Sequence, residues 1–162
     1  MTIGENYMIK KHKILSGKTV SGLVIGLALT FLAGPAVAAE YRTVTKDGVN
    51  IRSGPSTKDE IFWEVFKGFP LKVVARKGDW AKTEDFEGDT GWIYSPLLST
   101  KKNVIVKVKK GNIRVGPGKN YEIVASALYG VVFKPGKTDG DWLQVSHADG
   151  TKGWIHKSLV WP

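Results

Sequence analysis

The chain states one pattern twice, at a fixed separation. Asn50-Ile51-Arg52-x-Gly54-Pro55 recurs as Asn112-Ile113-Arg114-x-Gly116-Pro117, 62 residues later. At the same offset Gly78-Asp79-Trp80 recurs as Gly140-Asp141-Trp142, and Gly91-Trp92-Ile93 as Gly153-Trp154-Ile155. No insertion or deletion disturbs the offset, so a small module has been duplicated in tandem. Two copies of so short a unit point to binding more readily than to a catalytic cleft.

The segment before the repeats has a different composition. A basic stretch, Lys10-Lys11-His12-Lys13 with Lys18, precedes an apolar run from Leu23 to Leu32 and a small-residue end, Ala36-Val37-Ala38-Ala39. That order is the pattern of an export signal. It predicts a signal peptide over residues 1–38, cut after Ala38, with Met8-Ile9-Lys10-Lys11 as a second possible start. The apolar run is short of the roughly 20 residues that span a bilayer, so no stable membrane span is expected after cleavage. An uncleaved anchor is the rival reading. The expected divisions are then 39–100 for the first module and 101–162 for the second. The expected location is the periplasm or the medium.

The chain has no cysteine. This removes lipid attachment at a cysteine, thiol nucleophiles, disulfides and thiolate metal sites from consideration. Domains of this size must then be stabilised by packing alone, which rarely supplies more than about 3–5 kcal/mol. Packing the copies on each other would help. Only Ser99 to Asn103 separates Leu98 from the alternation Val104-x-Val106-x-Val108, which predicts a short, fairly stiff joint. Residues 41–99 carry nine basic and nine acidic side chains, whereas residues 100–162 carry eleven and four, a net of +7. The second copy and the joint are thus the electropositive part, suited to anionic polymers or surfaces.

Within each copy the signals are those of β structure. Short apolar or alternating runs are separated by turns rich in Gly and Asp, such as Lys77-Gly78-Asp79 and Asp149-Gly150. No helical spacing is evident. Ser95-Pro96-Leu97 and Lys157-Ser158-Leu159 read as a tight turn before a last short strand. Many short strands joined by turns predict an all-β fold of two small barrels.

The order N-I-R-x-G-P, apolar strand, G-D-W, hairpin, G-W-I and final Leu resembles the bacterial SH3-like (SH3b) family across residues 44–160, and is similar to the SH3-like domains of exported Gram-negative proteins. Copy one is the nearer match, with Ile61-Phe62-Trp63 and Gly68-Phe69-Pro70-Leu71. Copy two has Val124-Ala125 in place of Phe62-Trp63, and an irregular Val131-Val132-Phe133-Lys134-Pro135-Gly136. The resemblance implies two tandem SH3-like barrels and says little about the ligand. Ala127-Leu128-Tyr129-Gly130 echoes a motif of eukaryotic SH3 domains, but it lies mid-repeat and is read as plain strand.

Candidate site residues follow from chemistry and from duplication. Arg52 and Arg114 present a rigid fork of donors for a ligand carboxylate or for loop carbonyls. Gly54-Pro55 and Gly116-Pro117 read as loop-fixing. The repeated Trp80, Trp92, Trp142 and Trp154 are expected first in the core, with their tips able to line a groove. Phe62, Trp63 and Phe69 have no aromatic counterpart in copy two, so they fit either burial or a contact surface. Catalysis finds little support: His147 and His156 lack metal spacing, and Asp79, Asp141, Glu87 and Asp149 sit in turns. The expectation is a non-catalytic binding module without cofactor or metal. Given the resemblance, its partner is expected to be peptidoglycan or its peptides, bound by Trp63, Trp80 and Tyr94 with Asn50 and Arg52, and by Arg114, Tyr121 and His156 in copy two. The alternatives are a periplasmic adaptor that captures a cell-envelope protein through Phe62, Trp63 and Phe69, or an accessory subunit for a wall hydrolase. No nucleic-acid partner is expected.

Overall fold

The computed structural model describes residues 1–4 and 39–162. Most of the expected signal peptide, residues 5–38, lies outside the described residues. The short strand β1 (Thr2–Ile3) is followed, in copy one, by β2 (Glu40–Val44), β3 (Val49–Arg52), β4 (Ile61–Val65), β5 (Pro70–Lys77), β6 (Trp80–Glu84), β7 (Thr90–Tyr94) and β8 (Leu98–Ser99). Copy two supplies β9 (Val104–Val106), β10 (Lys110–Arg114), β11 (Ile123–Leu128), β12 (Val132–Asp139), β13 (Trp142–Ser146), β14 (Lys152–His156) and β15 (Val160–Trp161). The tight turns expected before β8 and β15 are single 3-10 turns, Ser95–Leu97 and Lys157–Leu159. The fold is all-β, as the turn spacing predicts. Among the described residues no helix is long and apolar enough to cross a membrane.

The strands form two sheets with one topology. The first runs β4-β3-β7-β6-β5-β2-β8; the second repeats that order as β11-β10-β14-β13-β12-β9-β15 and adds β1 at its edge. Alternation along each strand explains the shape. Val49 and Ile51 of β3, Ala81 and Thr83 of β6, and Ile93 of β7 point inward and are buried. The apolar ones meet Val44, Trp63, Val65, Phe69 and Leu71 in one cluster. A sheet whose strands all feed one cluster must bend around it, so each copy is an open, strongly curved barrel.

Two glycine positions explain why the repeat keeps its spelling. Gly78 and Gly140 begin the G-D-W turns with φ of +55° and +50°, a region that L side chains enter only at a cost. Gly91 and Gly153 begin G-W-I for a different reason. A Cβ on Gly91 would lie 2.3 Å from Ile51 Cγ2, and one on Gly153 would lie 2.5 Å from Ile113 Cγ2. At this point two strands approach so closely that only hydrogen fits.

The joint is firmer than a linker. All three residues of β9 are buried. Val104 and Val106 enter the core of copy two, while Ile105 enters the core of copy one. Successive side chains of a strand point to opposite faces, so one three-residue strand is shared by two cores. Further contacts join the copies. Asn103 Nδ2 donates to the carbonyl of Gly68 at 2.9 Å. Phe86 and Tyr129 meet with ring centroids 5.3 Å apart, and the Tyr129 hydroxyl donates to Glu87 Oε1. Tyr129 of the Ala-Leu-Tyr-Gly stretch is therefore an inter-repeat contact.

β1 pairs in parallel with β11, Thr2 opposite Ser126 and Ile3 opposite Ala127. Ile3 is buried against the second core with Ala125 and Ala127. Copy one has the indole of Trp63 opposite Ile51, and copy two has Ala125 at the same register, opposite Ile113. In the β13–β14 hairpin the carboxyl of Asp149 is held below its ordinary 3.8 chiefly by the backbone N–H of Thr151, which donates at 2.8 Å.

Candidate functional site

The outward residues of the same alternation build a groove on copy one. Asn50 and Arg52 project from the face of β3 opposite to Val49 and Ile51. Trp80 of β6 stands directly opposite Tyr94 of β7 in the ladder, and their rings meet at 5.7 Å and 60°. The β3–β4 loop brings Pro55, Ser56 and Thr57 to the same place. The resulting cavity of about 640 Å³ also takes in Lys46 and Leu97. Its polar side-chain groups are the Asn50 amide, the hydroxyls of Ser56, Thr57 and Tyr94, the Trp80 indole N–H and the cations of Lys46 and Arg52, with no carboxylate among its lining residues.

Arg52 also organises the loop. Its Nη1 donates to the carbonyl of Asp59 at 2.8 Å, while Ser53 N donates to the Glu60 carbonyl at 2.9 Å. Arg114 repeats this in copy two, with Nη1 donating to the carbonyl of Tyr121 at 2.7 Å. Of the two roles that the arginine fork suits, both copies use the loop carbonyl seven residues on. Tyr121 is exposed, and its ring lies over Gly116, where an added Cβ would fall 2.5 Å from it. Copy two also repeats the aromatic pair: Trp142 meets His156 edge to face at 5.4 Å and 85°. His156 Nδ1 lies 2.8 Å from Ser158 Oγ.

The structure therefore gathers Asn50, Arg52, Trp80 and Tyr94 in one groove; in copy two Arg114 holds the Tyr121 carbonyl and His156 packs on Trp142. Three expected contact residues fall elsewhere. Phe69 is fully buried and Trp63 is 7% exposed, so both pack the core and neither offers a face to a ligand. Phe69 lies among Phe66 and Phe86. Phe62 is half-buried and stacks on Trp63 at 6.0 Å; it lies outside the groove. The four repeated tryptophans correct the opposite expectation. All are half-buried on the outer faces of their strands, because each sits at an odd step from a buried Ala81, Ile93, Leu143 or Ile155. The loop residues Ser56 and Thr57 were not singled out from sequence, since nothing local shows that this loop folds back. Trp142 was legible through its 62-residue offset from Trp80.

One carboxylate group could meet a cation: Asp85, Glu87 and Asp89 bring ligand oxygens within 4.8 Å of one another. Asp85 is buried and its Oδ1 accepts from the backbone N–H of Glu87 and Asp89 at 2.9 and 3.0 Å, which is the work of a turn.

The bacterial SH3 domain profile matches residues 45–100 and again residues 107–162. The chain belongs to the bacterial SH3 domain family. It is 28% identical over 143 residues to the "Putative N-acetylmuramoyl-L-alanine amidase YrvJ" of Bacillus subtilis (strain 168). That alignment takes in 81% of this chain, which spans only 27% of that protein. Among solved structures, an NlpC/P60 family protein from Bacillus cereus ATCC 10987 matches with a TM-score of 0.35 and 15% identity, over 75% of this chain and 55% of the other. NlpC2 from Trichomonas vaginalis matches with a TM-score of 0.35 and 11% identity, over 77% and 48%.

Proposed function

We propose that this chain is an exported, non-catalytic binding module that recognises cell-wall peptidoglycan through its peptides. The observation that carries the reading is the groove that holds Asn50, Arg52, Trp80 and Tyr94 together. Two aromatic rings give a flat apolar surface for a sugar or an alanyl side chain. Asn50, Ser56 and Thr57 offer hydrogen bonds, and Lys46 with the remaining donors of Arg52 suits a peptide carboxylate. Membership of the bacterial SH3 domain family supports it. So does the similarity to a protein whose name places its action at the N-acetylmuramoyl–alanine bond. Because the alignment takes in 27% of that protein, the chain is better read as one of its parts than as the enzyme.

The test is retention on purified sacculi. The full chain is expected to sediment with them, and Trp80→Ala with Tyr94→Ala to lower the retained fraction by about tenfold, the scale of losing an aromatic anchor, with an unchanged circular dichroism spectrum. A folded double variant retained as well as the parent would remove the groove from wall recognition. Absence of parent retention would remove the function itself. Export is checked by N-terminal sequencing of the protein recovered outside the cytoplasm, expected to begin at Ala39.

A further inference from the structure

We propose that the cleft between the two repeats is a separate binding site for a single anionic amphiphile, a phosphate monoester carried on an apolar body. The cleft encloses about 650 Å³, inside the range of about 300–1,000 Å³ common for small-molecule sites. Both repeats build it, and it shares no residue with the groove of Asn50 and Trp80.

Its floor is apolar. Val104, Leu143 and Val160 are buried there. Tyr41 of copy one meets Trp161 of copy two edge to face, with centroids 5.4 Å apart and planes at 86°. Its rim is basic. Arg42, Lys101, Lys102, Lys107 and Lys157 all line the cleft, and no Asp or Glu side chain does. Two of these cations are already engaged: Arg42 pairs with Glu40 at 2.8 Å, and Lys157 Nζ donates to the carbonyl of Gly140 at 2.6 Å. Lys101, Lys102 and Lys107 are exposed, and their ammonium groups have no hydrogen-bond or ion-pair partner among the described residues.

Three like charges around one opening repel one another, and an anion seated between them relieves that repulsion. The type of cation narrows the anion. Lysine is a compact point charge without the planar fork that matches a carboxylate. A phosphate monoester carries about −1.5 to −2 charges near pH 7 on three acceptor oxygens, so several separate ammonium groups can be satisfied at once. The floor narrows the rest of the molecule. A small hydrophilic anion would leave the half-buried rings of Tyr41 and Trp161 facing water, whereas an alkyl or aryl body covers them.

Calorimetric titration of the full chain with monomeric decyl phosphate tests the proposal. Saturable one-to-one binding is expected, weakened at least about fivefold when salt rises from about 20 mM to about 500 mM, because screening acts on the rim. Decyl maltoside, with the same tail and no charge, and inorganic phosphate, with the charge and no tail, are each expected to bind at least about tenfold more weakly, since each lacks one half of the site. The triple variant Lys101→Ala, Lys102→Ala, Lys107→Ala is expected to lose about tenfold. Lys58→Ala, Lys77→Ala, Lys119→Ala, which removes the same net charge elsewhere, is expected to bind as the parent does. Equal binding of decyl maltoside, an unaffected rim variant, or an equal loss in the control variant overturns the proposal. Binding to vesicles containing phosphatidic acid without binding of monomeric decyl phosphate also overturns it, because that outcome describes a membrane surface and not a single-molecule cleft. Retention on sacculi is measured on the same variants and is expected to survive loss of the rim lysines, which keeps the two functional readings separable.

Discussion

Arg52 and Arg114 hold the same post in two copies, and each spends one guanidinium nitrogen on a carbonyl seven residues on. A hydrogen bond from a charged donor contributes about 1.5–3 kcal/mol when partly shielded, less where water competes. Arg52→Ala is expected to lower unfolding free energy by about 1–2 kcal/mol in urea, and Arg52→Lys to recover less than half, for want of the fork. A variant as stable as the parent would show that the loop does not depend on this bond. The motif was legible because duplication preserved it; the choice between ligand and loop was not, because both partners present a similar oxygen to the same donors. Trp63 shows the converse. It looked like a contact residue for lacking an aromatic counterpart, yet it lies in the core with Val49 and Ile51 of β3 and Ile93 of β7. No local pattern carries that information.

At the scale of elements, the repeat is held by the approach of β3 to β7 and of β10 to β14. Gly91 and Gly153 sit where those strands touch. Gly91→Ala is expected to cost about 1–3 kcal/mol by overpacking, whereas an added Cβ at Gly78 meets nothing within 4 Å and only its φ of +55° is penalised. Because the Gly91 clash falls on Ile51 Cγ2, pairing Gly91→Ala with Ile51→Ala should cost less than the sum of the two. Strict additivity in chemical denaturation would place the strain elsewhere. Strand existence and turn positions could be read from alternation and from Gly-Asp pairs. Which face of a strand is inward could not be read where both faces carry large rings, as at Trp80 and Trp92, because size alone favours the core and only curvature of the sheet decides the side.

In the whole molecule the two repeats act as one packed body through β9. Ile105 stands between Val104 and Val106, the two residues that enter the core of copy two. It is outward from its own sheet and enters the neighbouring core. Ile105→Ala is expected to cost about 2–5 kcal/mol, as buried Ile truncations do. It should divide a single calorimetric transition into two, with copy one melting first. One transition shifted as a whole would mean that other contacts, such as Asn103 with Gly68, suffice to couple the copies. The joint also makes the cleft, since Lys101, Lys102 and Lys107 flank β9 and Trp161 closes over from the far end of copy two.

The sequence by itself determined the all-β class, the duplication, the matching of positions between copies and four residues of the copy-one groove, Asn50, Arg52, Trp80 and Tyr94. It could do so because these rest on local periodicity, turn chemistry and a fixed offset. Tertiary structure alone decided that Trp63 and Phe69 are interior, that the repeated tryptophans face outward, and that a basic cleft opens between the copies. Those outcomes depend on how a sheet bends and on which distant side chains fill the space it encloses, and neither quantity is written in the spacing of residues along the chain.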